Sequence, residues 1–327
     1  MATRITEWVD VDRLPLRSQL AFDFAVTPLA DGSWLTIPVK VLIGSRRRPR
    51  FVAIAGVHGD EPEGMLALLD FAAQCNPACL KGTMILVPVA NPPAFAAHQR
   101  RSPVDGIDLN RVFPGRLDGT PSERLAYRLI HDIADGADFA FTLHSWFATG
   151  TVVPYVEVPQ KGDDHVSRRS WAAAVAAGFT RIRGGGWQPG VFGSAAVERG
   201  IPVLEAEIGG QGTATPENRA LYIDHLTKLL QYVGIVDGDP PPNRGTEIFD
   251  RGLLDAPAGG MLRVHVEPGQ FVEAGALLAT IMNLHGEQIA EMRAPRAGLV
   301  AAARRYVSVN TGDVVFALFP RVDSADR

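Results

Sequence analysis

Cysteine is almost missing from this chain: Cys75 and Cys79 are the only two among 327 residues. So sparse a set cannot staple a disulfide framework. The pair sits close together near the end of an expected helix, which suits two partly buried thiols in a reducing cytoplasm better than a bridge or a metal site. Long apolar runs are missing too. No stretch approaches the roughly twenty residues that a membrane span needs. Residues 1–20 carry Glu7, Asp10 and Asp12 without the apolar segment of a secretory signal. Nor does one sign of charge dominate. The formal net charge is −4 and no long basic block exists, so nucleic-acid binding has no electrostatic support. The short run Arg46, Arg47, Arg48 and Arg50 reads as a solvated hairpin end. What remains is the composition of an ordinary soluble globular protein, 46% hydrophobic and 21% charged. The length allows one large enzymatic core plus a smaller appended module.

Apolar, β-rich segments at 20–26 and 33–42 flank a turn at Ala30-Asp31-Gly32. From Phe51 the pattern becomes short buried runs alternating with amphipathic stretches. Segments 51–56, 84–89, 138–143 and 202–208 read as buried parallel strands, and 62–73, 122–133, 166–177 and 216–233 as helices. Thr215-Pro216 opens the last helix with a capping residue and a proline at its first position. Strand alternating with helix predicts an α/β fold whose sheet is covered by helices on both faces. The rhythm stops at Asp239-Pro240-Pro241-Pro242-Asn243, a stiff extended spacer. Glycine-punctuated β-type runs follow, so the chain divides near Pro240 into a catalytic domain, 1–239, and a β-rich C-terminal domain, 245–327.

The strongest chemical signal is Gly56-Val57-His58-Gly59-Asp60-Glu61-Pro62. His58 follows a buried strand and Glu61 stands where the next helix begins, so a tight turn aims imidazole and carboxylate at one point. Catalytic zinc is often held by two His and one Glu, with a fourth position left open. His144, after the strand at 138–143, is the candidate third ligand. Both histidines lie at carboxyl ends of sheet strands, where open α/β sheets place their ligands. Amide hydrolysis also needs a base. Glu205 and Glu207 lie on one side of the strand at 202–208, and Glu207 is chosen because it is nearer the carboxyl end. A glutamate beside an acidified water suits general base and then general acid work. The loop from Arg100-Arg101 to Asp108-Leu109-Asn110-Arg111 offers donors. Arg101 suits a developing oxyanion, while Asn110 and Arg111 suit a substrate carboxylate. Trp146, Phe147 and Trp187 are candidates for an apolar acyl pocket, with core packing as the alternative role for each.

Together, Gly-x-His-Gly-Asp-Glu, Asp-Leu-Asn-Arg-x-Phe-Pro-Gly, Leu-His-Ser and Glu-Ile-Gly-Gly resemble the succinylglutamate desuccinylase/aspartoacylase family of the zinc carboxypeptidase superfamily. The resemblance runs in order from about residue 38 to 233. It implies a phosphorylase/hydrolase-like core with one zinc ion, Zn(2+), per chain, held by His58, Glu61 and His144. It further implies Glu207 as general acid/base, Arg101 as oxyanion arginine, and Asn110 with Arg111 at the substrate carboxylate. The spacing from Arg101 to Asp108 is slightly longer than in animal aspartoacylases, which leaves Arg100 as the alternative oxyanion donor. A second carboxylate-binding arginine is open among Arg181, Arg183 and Arg199. The tail resembles the barrel-sandwich module of biotinyl and lipoyl carriers. No lysine follows Lys228, so a carrier role is excluded, leaving packing, oligomerisation or partial closure of the active-site mouth.

The expected activity is zinc-dependent cleavage of the amide of a small, carboxylate-bearing N-acyl substrate, in the cytoplasm, without nucleic-acid or membrane partners. A homo-oligomer is compatible with this. Rival readings are a metallocarboxypeptidase acting on a peptide C-terminus and a non-catalytic metal-binding protein. The second leaves Glu207, Arg101, Asn110 and Arg111 without a use.

Overall fold

A computed structural model describes residues 2–160, 162–240, 242, 246–249 and 252–320. The chain opens with β1 (Thr3–Ile5), followed by the antiparallel partners β2 (Ser18–Pro28) and β3 (Trp34–Ile43). Their hairpin closes at Gly32, whose φ of 81° is open to glycine at little cost. β4 (Arg50–Ala55), α1 (Pro62–Gln74), β5 (Thr83–Val87) and α2 (Pro92–Ala96) come next. α3 (Pro121–Tyr127) runs on through a π turn at Arg128–Ile133 into β6 (Phe139–His144) and β7 (Gly150–Glu157). α4 (His165–Ala176), β8 (Arg181–Arg183), α5 (Phe192–Glu198), β9 (Val203–Gly210) and α6 (Pro216–Val233) complete the α/β part. The helix expected at 216–233 has those bounds, capped by the Thr215 side chain, which accepts from the Asn218 N–H at 3.2 Å.

At the centre of the sheet, β5, β4, β6 and β9 are neighbours in that order and mutually parallel. Each is buried on both faces. In β4, Val52 and Ile54 join one hydrophobic cluster while Phe51, Ala53 and Ala55 join the other. The first cluster includes Leu125, Leu129 and Phe192 from α3, the π turn and α5. The second takes Leu68, Ala173 and Leu226 from α1, α4 and α6. Helices therefore cover both faces, as expected. β3 and β4 are separated by β5, so the arginine run between them is not a hairpin end. It links elements at the foot of the sheet: Arg48 pairs with Asp138 and Arg50 with Asp12, each at 3.0 Å.

Beyond the α/β part the regular elements among the described residues are all β: β10 (Glu247–Phe249), β11 (Gly252–Asp255), β12 (Gly260–Val264), β13 (Phe271–Val272), β14 (Leu277–Met282), β15 (Gln288–Arg293), β16 (Gly298–Arg304), β17 (Ser308–Val309) and β18 (Val314–Phe319). β15, β14, β12 and β17 form a separate antiparallel sheet. β16, β18 and β11 extend the large sheet, because β16 pairs antiparallel with β7, Ala302 opposite Val152. Trp146, Val152 and Tyr155 pack there against Phe249, Leu299 and Phe319, with the Tyr155 and Phe319 rings edge to face at 5.0 Å. Of the expected proline-rich spacer, Pro241 and Asn243 lie outside the described residues. Among the described residues, no helix is long and apolar enough to cross a membrane.

Candidate active site

Adjacent parallel strands that end at one edge bring distant residues together. β4 ends at Ala55 and the chain turns through Gly56 and Val57 to His58. A side chain at Gly59 would lie 2.0 Å from the Ala94 carbonyl carbon, so this turn requires glycine. Glu61 is the N-cap of α1, yet its carboxylate makes no cap bond. It faces two histidines instead. His58 Nδ1 is 2.7 Å from Oε1, and His144 Nδ1, at the end of β6, is 3.0 Å from Oε2. The Ser145 N–H donates to Oε2 at 3.2 Å. All three side chains are buried, and their candidate ligand atoms lie within 4.8 Å of one another.

Hydrogen-bond accounting shows that this cluster fits a cation. His58 Nε2 lies 3.2 Å from Asp108 Oδ1, and Asp108 also accepts from Arg100 Nε and from the Asn110 N–H, each at 3.0 Å. A proton held on Nε2 leaves Nδ1 with a lone pair pointed at a carboxylate oxygen. Two such acceptors in contact need positive charge beside them: Arg100 Nη1 lies 3.3 Å from Nδ1 and 3.4 Å from Oε1, and a proton or a metal ion between the two would satisfy them more directly. A carboxylate behind a ligating imidazole is the usual support of a metal-bound histidine. The electrostatics agree. Burial and the Arg100 charge push the His58 imidazole down, but Glu61 and Asp108 outweigh them and the net shift is upward. His144 is likewise pushed down by burial and raised overall, mainly by Glu61. Burial opposes the Glu61 charge, and the two imidazoles still hold its carboxyl well below the usual range. The pocket favours positive charge. Two imidazoles and one carboxylate form a donor set suited to zinc.

The cluster opens into a cleft of about 510 Å³. Glu207 lines it, half-buried, directly opposite His144 in the β6–β9 register. Asn110 and Arg111 also line it. The Asn110 side-chain oxygen accepts from the Phe192 N–H at 2.9 Å, so its NH₂ group is what it can offer a ligand. Arg101 is exposed and not part of the wall; Arg100 is. The Arg100 guanidinium lies 5.0 Å from the Phe147 ring centroid and is tied to Asp108. These contacts aim Arg100 inward, while its chain neighbour points to solvent. Of the three arginines open for a second carboxylate contact, Arg183 lines the cleft, whereas Arg181 and Arg199 do not. Trp146, Phe147 and Trp187 form an aromatic wall, joined by Leu253 and Val314 from β11 and β18.

Two further carboxyls sit close by. Glu205 is 5% exposed and burial pushes it up to about 7. Glu63 is also pushed up to about 7 by burial, and its Oε1 accepts from the Gly210 N–H at 2.6 Å, tying α1 to the end of β9.

Comparison with known proteins identifies the family of the chain. Residues 47–232 match the succinylglutamate desuccinylase/aspartoacylase catalytic domain. The chain belongs to the succinylglutamate desuccinylase/aspartoacylase family. Within it, the chain is 30% identical over 308 residues to N-alpha-acetyl-L-2,4-diaminobutyric acid deacetylase of Halomonas elongata, covering 90% of this chain and 89% of that one. Its fold matches the product-bound ectoine utilization protein EutE (DoeB) of Ruegeria pomeroyi with a TM-score of 0.86 at 28% identity, over 94% and 97% of the two chains. A succinylglutamate desuccinylase/aspartoacylase of Rhodobacter sphaeroides gives a TM-score of 0.86 at 28% identity, over 96% and 98%.

In this family member, sequence reasoning did not single out three parts of the site. Asp108 lies inside the Asp-Leu-Asn-Arg motif, but its position behind His58 depends on the fold of the loop. Glu63 could have been noticed as a charged residue on the buried face of α1. Leu253 and Val314 carry no sequence signal, because only the pairing of β16 with β7 brings their strands beside the cleft.

Proposed function

We propose that the protein is a zinc-dependent amidohydrolase that removes the acyl group from a small N-acylated amino acid. The observation that carries this reading is the convergence of His58, Glu61 and His144 beside Glu207 at the edge of one parallel sheet. His58, Glu61 and His144 would hold the zinc ion, which would supply Lewis-acid polarisation of the acyl carbonyl and a more acidic water. The Glu207 carboxylate takes a proton from the attacking water and delivers it to the departing nitrogen. Arg100, anchored by Asp108 and Phe147, donates to the oxygen on which negative charge develops. Arg111, the Asn110 NH₂ group and Arg183 receive the substrate carboxylate. The aromatic wall excludes water around the acyl group. The division into a catalytic domain, 1–239, and a β-rich domain, 245–327, is part of the proposal: the first supplies the chemistry and the second closes the cleft. The free thiols of Cys75 and Cys79 fit a reducing cytoplasm.

Hydrolysis of N-acetyl, N-succinyl and N-aroyl amino acids by zinc-loaded protein, assayed beside short peptides, tests the reading. Release of an amino acid from at least one N-acyl series, with peptides untouched, is expected. Cleavage of a C-terminal residue from peptides alone would replace it with the carboxypeptidase reading.

A further inference from the structure

Strand pairing holds most of β9, but it lapses just past Glu207. On the β6 side the ladder ends there, with His144 opposite Glu207 as the last pair. On the β7 side Tyr155 is opposite Glu207 and Val152 is opposite Gly209. Two β7 residues, Val153 and Pro154, thus stand against the single Ile208, and a proline has no N–H to give the ladder. Glu207 therefore occupies the last regular rung of the sheet. A proton-transfer group has to stay within about 0.5 Å of its productive position, so something else must hold this backbone.

Two side chains from the helices on one face of the sheet do so. Tyr222, on α6, is fully buried. Its hydroxyl donates to the His144 carbonyl and lies 3.3 Å from the carbonyl of Ala206, the residue before Glu207. Glu63, on α1, is also fully buried, and its Oε1 accepts from the Gly210 N–H at 2.6 Å. A Cβ on Gly209 would lie 2.4 Å from that same oxygen, so the carboxylate packs directly on the strand. Ala206 and Gly210 bracket Glu207, and each is tied to a different helix. Packing alone gives no reason for a carboxylate here, because an apolar side chain would fill the space without the cost of burying it. Neither Tyr222 nor Glu63 lines the cleft. We infer that Tyr222 and Glu63 are positioning residues that pin the Glu207-bearing end of β9 against the His58, Glu61 and His144 cluster. This rests on the deacylase reading and adds what keeps its base in place.

Two measurements on zinc-loaded protein test it. Amide hydrogen exchange reads the backbone without any substrate. Tyr222→Phe removes one oxygen and keeps the ring; it is expected to speed exchange about fivefold or more at residues 206–211, the worth of one hydrogen bond, while β4 exchanges as before. Glu63→Ala is expected to do the same, and Glu63→Gln, which keeps an acceptor for the Gly210 N–H, to stay near wild type. Kinetics on an N-acyl amino acid that the wild type cleaves should then show kcat about ten- to a hundredfold lower in Tyr222→Phe and Glu63→Ala, with KM within about twofold. Unchanged exchange at 206–211 overturns the inference. So does exchange that rises equally through the core strands, which marks general destabilisation, or a kcat that survives the local loosening. Should Tyr222→Phe not fold, the contrast between Glu63→Ala and Glu63→Gln decides. A wild type that cleaves no N-acyl amino acid refutes the deacylase reading, while the exchange comparison still judges the pinning.

Discussion

The parallel strands β4, β6 and β9 and the C-terminal strands β18 and β11 belong to one sheet, yet they meet the cleft with different side chains. The parallel strands bring His58, His144, Glu205 and Glu207; the C-terminal strands bring Leu253 and Val314. The cause is topological. Parallel neighbours all end at the same edge, so the residues at their carboxyl ends converge whatever their separation in sequence. Antiparallel neighbours reverse at each step and present only an occasional side chain to that edge. Chemistry can therefore be concentrated on the first group, with shape and closure left to the second.

Variants on the two sides of the cleft can break this division. The largest effect is expected from Glu207→Gln, an isosteric change that keeps the zinc ligands intact. Turnover should fall by about 10²–10⁴-fold or more with bound zinc unchanged, measured by steady-state kinetics alongside metal analysis. Full activity would remove Glu207 from the mechanism. Arg100→Ala should cost about 10²–10³-fold in kcat, whereas Arg101→Ala, on an exposed side chain, should change it less than about twofold. The reverse ranking would return the oxyanion role to Arg101. The smallest effect is expected on the C-terminal side. Leu253→Ala should raise KM by less than about tenfold and leave kcat unchanged, as removal of uniform apolar binding does. A large loss of kcat there would give the C-terminal strands a chemical role.

Legibility in sequence follows the same line. The helix at 216–233 and the four parallel strands were readable because buried runs, caps and prolines mark them locally. α2 and α5 are too short to show a helical period, and β7 carries Pro154 and a mixed burial pattern. His58, Glu61 and His144 were readable because each stands at the end of a recognisable strand or the start of a helix. The choice between Arg100 and Arg101 was not, since adjacent loop residues differ only in direction, and direction is set by Asp108 and Phe147. Glu205 was visible as a charge in an apolar run, but its burial depends on what β6 and β7 place opposite it.

Zinc stoichiometry measures the central claim most directly. Purified wild-type protein, saturated with zinc and then dialysed, should retain about one ion per chain by elemental analysis, and His144→Ala should lose it. Metal-saturated wild type that retains no ion, or His144→Ala that binds zinc as tightly as the parent, would contradict the account.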